Sequence, residues 1–506
     1  MIRRSRDPLR RAAFCLVAFF VTAGANGAAS AAPPPDPAAS ATSPSTPPPP
    51  SASAPAPSSP APVTGADVPA KKPDDAPSAD TALVPLPKKR HLPDYGGRGS
   101  APSTAGDVAL WVPRIALSPL YFVSEYMLRR PLGALITVAE RGNVPQVLYD
   151  FFTFGPDHSA GFAPIAFIDF GSQTSVGVYA FWDNAFVKGH DLSAHFSFWG
   201  GDWLAGVFTD RIRFAKGRAV TFNFTANRRP DHLYFGNGPR TLESDRSRYK
   251  EDFIDANAAM SVPFYRSSKV ESWVGVRSAR FASSTFGGDP SFEEQATKGT
   301  FPVPAGYDNG YTAAYSRVRA ALDTRRPRPA PASGVRVEVE GEAGSDIQHS
   351  PGPSWLRYGA TVGGFVDLGN THRVVSLSVG TKFAAPLEHQ TIPFTELVTL
   401  GGYDTMRGFW PGRLYDRSGA VATVRYRWPI WVWIDGVMEA ATGNVFGDHL
   451  EEFKPGLLRL SGALGFESVG SPDSSIEFLI GFGTETFDQG TKVDSFRLVF
   501  GTNRGF

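Results

Sequence analysis

The chain is almost without cysteine: its 506 residues hold one, Cys15. That excludes a disulfide framework and any site built from paired thiols. No run of about 18 apolar residues is present, so no helix is expected to cross a bilayer. A surplus of one charge is missing as well. Lys and Arg total 50, Asp and Glu 49, and a near-neutral chain lacks the basic footprint of a nucleic-acid partner. There is no Gly-rich phosphate loop and no His-Glu metal motif. His195, with Ser193 and Ser197 at alternate positions, is the nearest thing to a hydrolytic set, and a lone histidine beside serines is ordinarily a polar wall residue. The sequence therefore predicts no catalytic residues, no metal and no cofactor.

What is there is alternation. Val220, Phe222, Phe224 and Ala226 share one parity, and Thr221, Asn223, Thr225 and Asn227 the other. Val335, Val337 and Val339 alternate with Arg336, Glu338 and Glu340. A period of two marks strands with one apolar and one polar face. It predicts strands near 162–170, 174–186, 191–199, 203–214, 218–227, 248–263, 268–281, 310–324, 335–345, 354–368, 372–384, 420–428, 430–446, 457–468, 473–484 and 494–506. Many reach the length of a tilted membrane crossing. Aromatics gather near strand ends (Phe181, Trp182, Phe186; Phe198, Trp199, Trp203; Trp428, Trp431, Trp433), as interfacial girdles do. The polar face carries charge on successive positions, which suits a wet interior. Even strand number and a terminal aromatic, Phe506, complete the pattern. The expectation is an all-β chain: a 16-stranded antiparallel transmembrane β-barrel over 162–506, in the outer membrane of a Gram-negative bacterium.

The N-terminal part reads differently. Arg3, Arg4, Arg6, Arg10 and Arg11 precede an apolar run from Ala12 to Val21, and Ala23-Gly24-Ala25 or Ala29-Ser30-Ala31 offers a cleavage site. Residues 1–31 thus read as a signal peptide. Its removal takes away Cys15. Residues 32–104 are rich in Pro, Ala and Ser, with a run at Pro47–Pro50, and predict a disordered, partly polyproline spacer. At about 3.1 Å per residue it would reach on the order of 200 Å, enough to cross a periplasm. Residues 105–161 form a lead-in, with a loosely helical pattern over 121–140 interrupted by Pro131, which predicts short helices on the periplasmic side.

The most specific motif is Leu400-Gly401-Gly402-Tyr403-Asp404-Thr405-Met406-Arg407-Gly408-Phe409, followed by Val424-Arg425-Tyr426-Arg427-Trp428-Pro429-Ile430 and Thr442-Gly443-Asn444-Val445-Phe446-Gly447. Gly401, Gly402 and Gly408 permit tight turns and close approach. Arg407 brings a planar, permanently charged fork suited to a carboxylate, and Phe409 can pack beside it. On 430–446 the odd positions hold Asp435 and Glu439 and the even ones Val432, Ile434, Met438 and Ala440. The odd face is therefore the inner one, with Glu439 or Asp435 as partner for Arg407.

This stretch resembles the barrel domain of the bacterial surface antigen (D15) superfamily, which includes BamA, TamA and the two-partner secretion transporters. The resemblance implies a 16-stranded barrel whose sixth long loop folds an Arg-Gly-Phe tip back into the lumen. It departs from the family pattern at Arg425, where a glutamate is usual, and near Ala441, where an aspartate is usual. Gly501 and Phe506 fit a terminal recognition signal, and Gly501 and Gly505 would weaken the last strand at a seam with the first. The periplasmic POTRA modules of those relatives have no counterpart in the proline-rich segment, so a POTRA-less member is expected. The implied function is outer-membrane protein assembly or protein translocation, with outer-membrane lipids and outer-membrane or secreted client proteins as partners. The alternatives are a gated or passive pore, or an anchor tethered through the spacer to a periplasmic or cell-wall partner.

Overall fold

The computed structural model describes residues 150–167, 175–215, 217–326, 332–387, 390–402, 405–431, 434–468 and 475–503, with isolated positions 126, 130, 134, 142 and 147. The expected signal peptide, the spacer, most of the lead-in, and Gly505 and Phe506 lie outside the described residues.

The strands are β1 (Thr153–Phe154), β2 (Ala160–Phe167), β3 (Ser175–Trp182), β4 (His190–Phe198), β5 (Leu204–Ala215), β6 (Arg218–Tyr234), β7 (Ser247–Tyr265), β8 (Ser268–Ser283), β9 (Tyr311–Asp323) and β10 (Gly334–Asp346). They continue as β11 (Ser354–Asp367), β12 (Val374–Pro386), β13 (Val398–Leu400), β14 (Leu414–Asp416), β15 (Ser418–Trp431), β16 (Ile434–Phe446), β17 (Arg459–Ser468), β18 (Ser475–Thr486) and β19 (Val493–Asn503). Between β8 and β9 a short helix, α1 (Phe292–Thr297), starts at a capping box in which Ser291 and Glu294 satisfy each other's backbone.

From β2 to β19 each strand pairs antiparallel with the next, except that β12 pairs β15 across the segment holding β13 and β14. The sheet has 17 strands rather than the expected 16. The extra one is β1, whose Thr153 and Phe154 sit opposite Gly161 and Ala160. The sheet therefore starts inside the stretch taken as lead-in. No register among the described residues joins β19 back to β2, so the ladder is not closed there.

The sheet's polarity is inverted relative to a water-soluble protein. On β6, Phe222 and Phe224 are 48% and 46% exposed, while Asn223 and Thr225 between them are both 4% exposed. The same alternation leaves Val335 and Val339 exposed and Arg336 buried on β10. The buried face is rich in ion pairs because a low-dielectric surround leaves an unpaired charge costly. One expected girdle residue is corrected: Trp203 is buried, with the Arg229 guanidinium 5.6 Å from its ring, on the inner side. Trp182, Phe186, Phe198 and Trp199 are exposed.

The two ends of the sheet differ. At one end some connections are as short as 266–267; at the other four are long, at 235–246, 284–310, 387–417 and 447–458. Two of the long connections build a shared core. Phe292, Phe301 and Tyr307 from 284–310 pack with Tyr234, Tyr249, Phe281 and with Phe394 from 387–417. The Phe292 and Tyr307 rings stack at 4.3 Å.

Candidate functional site on the buried face

The connection 387–417 enters the space behind the buried face of β16–β19. Its base is a short ladder, β13 on β14 (Val398 opposite Asp416). Above it the chain turns twice. Gly401 and Gly402 hold φ near +97° and +88°, values that favour glycine. The turn is closed by hydrogen bonds from Gly401 N to Thr405 O and from Gly402 N to Phe409 O, each 3.0 Å.

The tip lies against the last three strands. Gly408 N donates to Ser461 Oγ on β17 (2.9 Å), and Ser495 Oγ on β19 donates to Gly408 O (2.6 Å). A side chain at Gly408 would meet Phe482 O of β18 at 1.9 Å, so only glycine fits. Arg497 on β19 is fully buried. Its Nη1 donates to Gly402 O and, at 3.0 Å, to Phe409 O. Phe409 is itself fully buried among Leu400, Met406, Leu414, Ala441 and Val445, with its ring over Gly483.

Arg407 is fully buried, and its Nε is 3.7 Å from Glu439 Oε2. That carboxylate also takes two hydrogen bonds from Arg425, the residue directly opposite it, at 3.0 and 2.8 Å. Arg425 reaches on to Glu467 at 3.9 Å. Arg427 is 3.3 Å from Glu467 and 3.6 Å from Asp435. The result is a chain of alternating charge, Arg407, Glu439, Arg425, Glu467, Arg427 and Asp435, formally neutral. The two acidic residues expected from parity are thus both on the inner face. Glu439 lies beside Arg407, and Asp435 lies beside Arg427.

A second ionic cluster holds the base of the same connection. Glu396 is 3.2 Å from Arg277 and 3.0 Å from Arg357, and it accepts a 2.7 Å hydrogen bond from Tyr311. Burial by itself would raise the Glu396 carboxyl, but Arg277 and Arg357 outweigh it and hold the group below its usual range. Further along, Arg413, also fully buried, donates to Thr241 O at 2.8 Å and to Asp494 at 3.1 Å.

Residues 184–449 match the Omp85 superfamily domain. That span exceeds half of the chain. The chain belongs to the Omp85 superfamily. Among solved structures it is similar to BamA from Haemophilus ducreyi lacking POTRA domains 1–3, at 12% identity, 68% coverage of this chain, 70% of that one and a TM-score of 0.47. It is also similar to CdiB from Acinetobacter baumannii, at 12% identity, 68% and 59% coverage and a TM-score of 0.41. No curated protein matches.

In this Omp85 chain the motif glycines, Arg407 and Phe409 sit together with Glu439. Gly501 lies on β19 opposite Glu477, remote from them in register. The sequence reading missed Ser461, Ser495 and Arg497, which grip the loop's backbone rather than its side chains. It also missed the role of Arg425. The only available signal for Arg425 was its departure from the family pattern. His195 is 2.8 Å from Ser197 Oγ.

Proposed function

We propose that this Omp85 chain is a transmembrane barrel of a Gram-negative outer membrane, its wall the 16 strands β2–β12 and β15–β19 with β1 an addition at the edge, and that it assembles outer-membrane proteins or translocates proteins. The loop carrying Arg407, Gly408 and Phe409 occupies the lumen and is held there by the charge chain through Glu439. The observation that carries this reading is the inverted polarity of the sheet within an Omp85 domain: apolar side chains such as Phe222 and Phe224 face out, and ionic networks face in. A lipid-facing surface needs the first, and a polar passage needs the second. Client strands would pair at the seam between β19 and the part of β2 beyond its first two residues, which already pair with β1, where a strand edge is a template for addition. Gly501 contributes no side chain to hold that edge.

The test is reconstitution of the full chain in proteoliposomes, to which an unfolded outer-membrane client is added. Protease protection of the client then reports insertion or passage. Acceleration over empty vesicles is expected, and equal rates would overturn the reading.

The charged interior favours a second reading, a gated pore. On that reading Arg407→Ala opens a stable conductance in planar bilayers that the wild type lacks. Silence in both would dismiss it.

A further inference from the structure

We infer that the exposed face of β6–β8 carries a binding surface for a phosphorylated lipid headgroup at the long-loop end of the barrel. The inference rests on the membrane reading above. The residues are Arg228, Lys250 and Arg280. All share strand parity with the exposed apolar residues Phe224, Ile254 and Val276. Register puts Arg228 directly opposite Asp252, and Asp252 directly opposite Arg280, in one row across three strands. Lys250 stands one outward-facing position nearer the long loops.

Two acidic residues order this cluster without neutralising it. Asp252 accepts from Arg228 Nε at 2.7 Å and Nη2 at 2.9 Å, which fixes the guanidinium plane and leaves Nη1 out of the pair. Lys250 is 2.7 Å from Asp202, which is 77% exposed. Arg280 is exposed and has no carboxylate within ion-pair distance among the described residues. Three cations against two carboxylates leave a net positive charge, with one arginine uncommitted. A phosphate monoester, with several acceptor oxygens, matches a row of forked donors.

The height of the row fits. Arg218 is exposed at the other end of β6. Between Arg218 and Arg228 the outward residues are apolar. At about 3.3 Å per residue and a strand tilt of about 40°, that separation gives about 25 Å, the height of a lipid-facing band. The location is also selective. The same face of β9–β12 presents Val318, Val339, Val362 and Leu377 and no charged side chain. Cations just above an apolar belt, in one sector, match lipid phosphates at the headgroup level.

The full chain is reconstituted in nanodiscs of phosphatidylcholine containing bis-phosphorylated lipid A, and retained lipid is counted by native mass spectrometry. Wild type is expected to retain lipid A selectively. The triple variant Arg228→Ala, Lys250→Ala, Arg280→Ala is expected to retain about tenfold less or lower still, and the Arg228→Lys, Arg280→Lys variant to fall between the two, since lysine keeps the charge and loses the fork. Arg280→Ala alone breaks no ion pair, and a several-fold loss there supports the inference even if the triple variant fails to fold. Equal retention in wild type and Arg280→Ala overturns it. So does competition by inorganic phosphate as strong as by lipid A, or loss of a co-purifying acidic protein in place of lipid. A chain that does not enter nanodiscs overturns the membrane reading and this inference with it.

Discussion

Arg407 shares one carboxylate with Arg425, and the energetics of the site turn on Glu439. Removing it leaves two buried guanidinium groups facing each other. Breaking a buried pair from one side costs about 3–5 kcal/mol, so Glu439→Ala should lower the urea midpoint of the folded protein substantially, read from its heat-modifiable migration. Arg407→Ala should cost less, because Arg425 still satisfies Glu439. The double variant should show a coupling of about 0.5–3 kcal/mol; simple additivity would mean that the 3.7 Å contact contributes nothing. Gly408 gives a sharper test. Because a side chain there would enter the β18 backbone, Gly408→Ala should expel the tip and expose residues 401–413 to protease, with the strands intact. At this scale the motif was legible: the glycines, Arg407 and Phe409 all fall within the short stretch 401–409 of the chain. Ser461, Ser495 and Arg497 were not, because they look like ordinary inward residues of an alternating strand until a loop from far away in sequence lands on them.

The connection 387–417 is held at three levels: its base by Glu396, its tip by Arg407 and Phe409, and its backbone by β19. Arg497 therefore acts as a clasp between the loop and the last strand. With Met406→Cys as a buried reporter in a chain whose only other thiol is Cys15, maleimide labelling should be slow in wild type. It should be faster in Arg497→Ala and intermediate in Arg497→Lys. Unchanged labelling would remove the clasp. The connection 284–310 should depend on its aromatic core, so Phe292→Ala should cost about 3–5 kcal/mol and open that segment to protease first. The long strands were readable because their period of two is clean. The ends of β6 and β15 were not. Beyond Asn227, Arg229, Pro230 and Asp231 break the alternation, and the ladder shifts register between Arg229 and His232; a similar shift lies between Pro429 and Trp431. The elements α1, β1, β13 and β14 are too short to impose a period.

For the whole molecule, the polarity of the sheet followed from the sequence, since alternation is a property of pattern. Closure is different: alternation in two strands does not say whether their edges meet. The central claim is that the edges of β2 and β19 receive client chains. It is tested most directly by placing photo-crosslinkers along 160–167 and 493–503 in cells and identifying the adducts by mass spectrometry. The account predicts outer-membrane or secreted chains trapped at both strands, and far fewer with crosslinkers on the exposed face of β9–β12. Adducts confined to lipid, or equally frequent around the whole sheet, would contradict it.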